Sequence, residues 1–254
     1  PEAVDLLKEA KKAAQEADAV ILVIGTNSDW ETEGNDRADL GLPANQDELV
    51  DAVLAENKNT VVVINSGSPV SMPWEDQSKA ILQSWFGGQE YGNALMDILF
   101  GEVNPSGKLP TTFPKRIEDT PAFSCYPGEN SQMDYEEKLL VGHRWYERKN
   151  IKSLFPFGHG LSYTDFSYGD LEISVSGNTD VVCRFNIENI GDMDGQEVAQ
   201  CYVSYESSPS DEPIKSLQSF KKVLIEKQKK QEIEIHLNAR NLSLIHISEP
   251  TRLW

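Results

Sequence analysis

One stretch of 12 residues concentrates groups able to do chemistry. It reads Thr26-Asn27-Ser28-Asp29-Trp30-Glu31-Thr32-Glu33-Gly34-Asn35-Asp36-Arg37, with four carboxylates, one tryptophan and one arginine. As bare composition it could be a solvated acidic loop. The same residue types also grip sugars: tryptophan stacks on the apolar face of a pyranose, and carboxylates and arginine bond its hydroxyls. A carboxyl beside a leaving oxygen acts as a general acid if burial raises its pKa. Metal chemistry has less support. His143 and His159 have no Cys or His companion at ligand spacing, and no CxxC occurs among Cys125, Cys183 and Cys201. A structural zinc site is therefore not expected.

The flanking patterns say what holds this loop. Ala19–Gly25 is a continuous apolar, β-branched run closed by glycine, the pattern of a strand buried on both faces. Pro1–Asp18 before it spaces Leu6, Ala10, Ala13, Ala14 and Ala17 as one face of a helix. Gln46–Glu56 is helical by the same spacing, Thr60–Asn65 is a second buried strand, Ala80–Phe86 a third, and Glu90–Phe100 a third helix. This alternation predicts an α/β fold, a parallel-rich sheet between helices. Such sheets bind ligands outside the carboxyl ends of their strands, where the 26–37 loop would lie.

From about residue 168 the period changes to two. Leu171, Ile173 and Val175 alternate with polar residues, as do Val181, Cys183, Phe185 and Ile187, and again Ile233, Ile235 and Leu237. Turn signals at Gly177-Asn178, Gly191-Asp192 and Ser208-Pro209 divide them. This is the pattern of an antiparallel β-sandwich.

Composition narrows the function classes. The 254 residues carry a net charge of −18, which repels phosphate backbones and argues against nucleic-acid binding. The longest purely apolar run, Ala19–Ile24, is far short of the ~20 residues that span a bilayer, so no membrane role is expected. A nucleotide-binding reading of the α/β part is weak, because the loop after Ala19–Gly25 is acidic and lacks GxGxxG. Three sparse cysteines form no disulfide framework, and one sequon, Asn241-Leu242-Ser243, lies near the end.

Several stretches, taken in order, resemble one enzyme family. Trp30-Glu31-Thr32-Glu33-Gly34-Asn35-Asp36-Arg37 resembles the WETEGxDR loop of the β-glucosidases of glycoside hydrolase family 3. Asn65-Ser66-Gly67-Ser68-Pro69-Val70-Ser71-Met72-Pro73-Trp74 is similar to the family's NxSGxPVxMPW. Trp85-Phe86-Gly87-Gly88-Gln89-Glu90, running on to Asn104-Pro105-Ser106-Gly107-Lys108-Leu109-Pro110, matches W(Y/F)xGQE and NPSGKLP. Val141-Gly142-His143-Arg144-Trp145-Tyr146-Glu147 and Phe155-Pro156-Phe157-Gly158-His159-Gly160-Leu161-Ser162-Tyr163-Thr164 resemble VGYRWYE and FPFGxGLSYT. The agreement runs over about residues 19–240.

The resemblance implies residues 1–116 as part of an α/β/α sandwich domain, 117–167 as a connecting segment, and 168–243 as a fibronectin type III-like sandwich of immunoglobulin-like type. It implies that this architecture is incomplete at both ends and that residues 244–254 form a tail unlike the family. The family's N-terminal TIM barrel, with its nucleophilic Asp in an SDW-type motif, is not among these residues. The implied activity is retaining hydrolysis of terminal non-reducing β-D-glucosyl residues by two carboxyl groups roughly 5 Å apart. Glu33, directly before Gly34-Asn35-Asp36-Arg37, matches the acid/base, with Glu31 the runner-up. Trp30 would contact the sugar, and Asp36 and Arg37 would pair and orient the loop. Ser28-Asp29-Trp30 spells the nucleophile triplet but lies in the wrong domain, so Asp29 is not assigned that role. Met72 and Trp74 are expected to pack rather than to touch sugar.

The resemblance implies no cofactor and no metal. The expected partners are a β-glucoside or oligosaccharide and the barrel of the same polypeptide, with a homo-oligomer left open. The chain alone is expected to be inactive. Two alternatives stay open: a non-catalytic carbohydrate-binding or interaction module, and β-xylosidase activity within the family. Secreted and cytoplasmic locations are equally compatible.

Overall fold

The computed structural model describes residues 3–34, 36–130, 132–176, 180–204 and 212–238. The Gly177-Asn178 and Ser208-Pro209 turn signals, the sequon at Asn241 and the tail 244–254 lie outside them. The chain divides into two compact units. One comprises Pro1–Leu95, Phe113–Ser124 and Lys152–Leu154, and the other the remaining residues.

In the first unit, β1 (Val20–Gly25), β2 (Thr60–Asn65) and β3 (Ala80–Gln83) form a parallel sheet in the order β1-β2-β3. Register pairs Val20 with Thr60 and Val62 with Ile81. The crossover between β1 and β2 contains α2 (Gln46–Glu56), which buries Val50, Val53 and Leu54. Helix α1 (Ala3–Glu16) packs on α2 and adds a Lys11–Glu56 ion pair of 3.0 Å. The most buried of the three strands is β2, where Val62, Val63 and Ile64 are all at 0% exposure.

Three expectations are corrected here. First, β1 is an edge strand, not a strand buried on both faces: Ile21 and Val23 are 46% and 53% exposed, while Ile24 is buried. A continuous apolar run reads the same at an edge as in the centre, because the pattern reports hydrophobicity and not neighbours. Second, the buried face of α1 holds Ala14, with Leu7, Ala10 and Ala17 half-buried, while Leu6 is 52% exposed and Ala13 is exposed. The face is rotated by one residue from the predicted one. Strand β3 also ends early. Trp85 takes φ +57°, a conformation no strand accommodates, and Ser84 turns in to bond the Ile64 carbonyl.

In the second unit, β4 (Phe166–Ser176), β5 (Asp180–Asn189) and β8 (Lys230–Asn238) form one antiparallel sheet, and β6 (Gly195–Ser204) and β7 (Lys215–Ile225) another. The period-two residues fall into register. Val175 faces Val181, which faces Leu237, and Ile173 faces Cys183, which faces Ile235. Cys183, Ile187, Ile233, Ile235 and Leu237 then meet Ala199 and Ile225 in one core. Exposure climbs across this row, from 4% at Ile235 through 5% at Cys183 to 65% at Ile173. The three cysteines are free thiols.

Polar stitching completes this unit. Asn189 is fully buried; its Oδ1 accepts from Thr164 Oγ1 (2.6 Å) and Gly191 N (3.1 Å), and its Nδ2 donates to the carbonyls of Met193 (2.8 Å) and Ile225 (3.0 Å). Asn104 accepts from Ser162 and Tyr163 and donates to the Asp194 carbonyl. The short helix His143–Lys149 places His143 flat against Phe157, with ring centroids 4.5 Å apart.

Burial holds the imidazoles of His143 and His159 below their ordinary value of 6.5, helped by nearby cations. Unfolding frees both rings to take up a proton near pH 6.5, whereas in the folded chain they do so only at lower pH. The unfolded state therefore binds more protons below that value. Stability should be full above pH 6.5 and decline as the pH falls through the His range. Urea midpoints at about pH 7.5 and 5.5 measure this. The fall should be smaller in a His143→Gln, His159→Gln double variant; an equal fall would remove the histidines as its cause.

Candidate active site

The site is built at the carboxyl ends of the three parallel strands, and its first element is the end of β1. A Cβ on Gly25 would lie 2.0 Å from the Asn65 carbonyl oxygen, so only glycine lets the ends of β1 and β2 approach this closely. The Gln46 amide then clasps Gly25 from both sides. Its Oε1 accepts from Gly25 N (2.7 Å) and its Nε2 donates to Gly25 O (2.8 Å). Gln46 is the first residue of α2, so helix start and strand end are fixed together.

Beyond Gly25 the chain folds into a short turn. Asn27 Oδ1 accepts from Asp29 N, an Asx turn, and the Asn27 carbonyl accepts from both Trp30 N (3.0 Å) and Glu31 N (2.8 Å). Glu31 points back towards the strands. Its Oε1 accepts from Thr26 Oγ1 (2.5 Å) and from Gly67 N (3.2 Å), just past the end of β2. A Cβ on Gly67 would lie 2.5 Å from Glu31 Oε2 and 2.8 Å from the Phe86 ring. Glycine is required at this position by close approach.

Glu33 follows two residues later and differs in every respect. It is exposed, and its carboxylate makes no hydrogen bond or ion pair among the described residues. The chain then turns through Gly34 at φ +83°, a left-handed conformation that a side chain would strain. Asp36 is exposed. Arg37 reaches back to the segment that also receives Glu31. Its guanidinium donates to Ser68 Oγ (2.8 Å), to the Pro69 carbonyl and to the Gly41 carbonyl (3.3 Å each).

The loop is thus anchored near both ends on residues 67–69, and Glu33 sits between the anchors with Trp30, 36% exposed, at its start. Trp74 is fully buried and donates to Asp47 Oδ1, and Met72 is 5% exposed; both pack inside the unit. Thr26, Gln46, Gly67 and Ser68 drew no site assignment at the sequence level. Gly67 and Ser68 stand in a recognised motif without an assigned role, and nothing in the sequence alone links them to a loop some 30 residues earlier. Among the described residues, no three His, Cys, Asp or Glu side chains come together as a metal site.

Comparison with known proteins gives these features a family. Residues 3–163 match the glycosyl hydrolase family 3 C-terminal domain, and residues 197–251 the fibronectin type III-like domain. Thermostable beta-glucosidase B of Acetivibrio thermocellus is 43% identical over 239 residues, covering 93% of this chain and 32% of that protein. Probable beta-glucosidase I of Emericella nidulans is 42% identical, covering 91% of this chain and 28% of that protein. Among solved structures, the beta-glucosidase of Kluyveromyces marxianus in complex with glucose superposes with a TM-score of 0.91 at 39% identity, covering 95% of this chain and 29% of that one. The Bifidobacterium adolescentis GH3 beta-glucosidase superposes at 0.90, also at 39% identity, covering 95% of this chain and 36% of that one. The chain spans about a third of the length of these relatives. By sequence and by fold, the chain belongs to glycosyl hydrolase family 3, as its C-terminal domain followed by a fibronectin type III-like domain.

Proposed function

We propose that this chain is the acid/base-bearing part of a longer, retaining, exo-acting β-glucosidase, in which Glu33 protonates the leaving oxygen. The observation that carries the reading is the contrast between two glutamates one residue apart. Glu31 is committed to Thr26 and Gly67, whereas the Glu33 carboxylate is free on a loop braced at both ends. A group that gives and takes a proton each turnover must be able to meet substrate, and Glu33 is the one placed to do so.

In this reading the second carboxylate comes from a barrel in the same polypeptide, roughly 5 Å from Glu33 across the scissile bond. That carboxylate attacks the anomeric carbon as Glu33 gives its proton to the departing oxygen. Glu33, now ionised, takes a proton from the water that attacks the glycosyl-enzyme, and a second inversion restores the β configuration. Trp30 offers an apolar face for a pyranose, and Arg37 keeps the loop in place. The relatives' names favour glucoside over xyloside as substrate.

Two assays test this. The purified 254-residue chain should release no nitrophenol from an aryl β-glucoside, since retention needs both carboxyls. The full-length protein should cleave methyl β-glucoside, and proton NMR should show β-glucose as the first anomer formed. Turnover by the chain above a Glu33→Ala control, or first-formed α-glucose from the full-length protein, would overturn the reading.

A further inference from the structure

The proposed chemistry leaves Glu31 without a task, yet the fold makes specific provision for it. One oxygen of its carboxylate collects a hydroxyl from the end of β1 and a backbone N–H from just past β2. Position 67 has no room for a Cβ because the other oxygen occupies that space, with the Phe86 ring beside it. The 27–31 turn that carries this carboxylate is closed by backbone bonds converging on the Asn27 carbonyl. Two residues on comes Glu33, then the left-handed Gly34, then Arg37 on Ser68 and Pro69. Without the Glu31 carboxylate the near end keeps its turn but loses its tie to Gly67, and Glu33 lies two residues beyond the lost tie.

We propose that Glu31 is the positioning residue of the acid/base: seated on the Gly67 backbone, it fixes the near end of the loop and so holds Glu33 where it can reach the leaving oxygen. This rests on the assignment of Glu33 as acid/base. What Glu31 supplies is a hydrogen-bond acceptor in a fixed place; no proton leaves it during turnover. Proton transfer depends steeply on position, and a displacement near 1 Å can cost about 100-fold. Binding of the sugar, made largely elsewhere, should depend on it less.

The test uses the full-length enzyme. Glu31→Ala should lower kcat on cellobiose by about 10- to 100-fold with little change in KM. It should lower kcat/KM, which reports the glycosylation step, much less on a nitrophenyl glucoside, whose leaving group needs little protonation. Glu31→Gln retains an Oε1 that accepts both bonds, so it should recover most of what Glu31→Ala loses. Gly67→Ala displaces the same carboxylate from the other side and should reproduce the Glu31→Ala pattern. The double variant Glu31→Ala, Gly67→Ala should be no worse than the worse single, because both remove one contact.

The proposal is overturned if Glu31→Gln is as impaired as Glu31→Ala, which would make the ionisable group itself the requirement. It is equally overturned if Glu31→Ala and Gly67→Ala both leave kcat on cellobiose unchanged, or if their losses multiply in the double variant. A Glu33→Gln enzyme with wild-type rates would instead remove the underlying assignment, a result distinct from all of these.

Discussion

In the full-length enzyme, Glu33→Gln should slow cleavage of cellobiose on the order of 10²- to 10⁴-fold, the usual worth of a lost proton transfer. Activated aryl glucosides should suffer far less in the glycosylation step. The difference follows from leaving-group chemistry. A sugar hydroxyl leaves as a strongly basic alkoxide unless protonated as the bond breaks, whereas a nitrophenolate departs with little help. Glutamine keeps the shape and polarity of the side chain but has no proton to give. Values of kcat/KM, which report glycosylation, on a series of glucosides of graded leaving-group pKa measure this directly. A steep dependence should appear in the variant and a shallow one in the wild type. Equal losses across the series would mean that Glu33 serves binding or loop structure and not proton donation.

The largest stability effect should come from a residue of the second unit. Asn189→Ala should destabilise the β-sandwich unit by about 3–4 kcal/mol, since a lost buried partner costs about 1–3 kcal/mol per stranded group. Asn189 is fully buried and holds four partners: the Thr164 hydroxyl, Gly191 N, and the Met193 and Ile225 carbonyls. Alanine leaves all four without their bond and opens a void between the β5–β6 turn and the end of β7. Against a typical total of about 5–15 kcal/mol, that loss brings the unit close to unfolding at 37 °C. Among the described residues, the side chain of Asn186, on the same strand, bonds only to the exposed Asp170 carboxylate. Asn186→Ala should therefore cost under about 1 kcal/mol. Urea denaturation of the two variants followed by far-UV circular dichroism makes the comparison. Similar midpoints would refute the account of Asn189 as a four-way tie.

Much of the fold is legible in the sequence because periodicity is a local signal. The alternating residues of β4, β5 and β8 are not only strand-like but fall opposite one another, Ile173 on Cys183 on Ile235. Helix α2 likewise appears over the predicted span, Gln46–Glu56. What periodicity does not carry is the neighbourhood of an element. Nothing in Val20–Gly25 says that one side of the strand lacks cover, and an alanine-rich helix such as α1 offers two overlapping apolar faces of nearly equal quality.

The candidate site divides in the same way. Residue types and order bring out the 26–37 loop, but Glu31 and Glu33 are chemically identical and one residue apart. What separates them is tertiary: the Gly67 amide lies 36 residues from Glu31 in sequence and 3.2 Å from its carboxylate in space. Asn189 is missed for a related reason. An asparagine before Gly191-Asp192 reads as a turn former, and its value as a buried tie depends on the end of β7 arriving beside it.

The most direct test of the central assignment is azide rescue in the full-length protein. With Glu33→Gln the glycosyl-enzyme forms from an aryl glucoside but lacks the base that activates water, so it should accumulate. Azide needs no base. It should restore turnover and release β-glucosyl azide, identified by the anomeric coupling in its proton NMR spectrum, and Glu31→Gln should yield free glucose with or without azide. The opposite pattern, rescue and glucosyl azide with Glu31→Gln but not with Glu33→Gln, would move the acid/base to Glu31. No azide product from either would contradict the loop as the acid/base site.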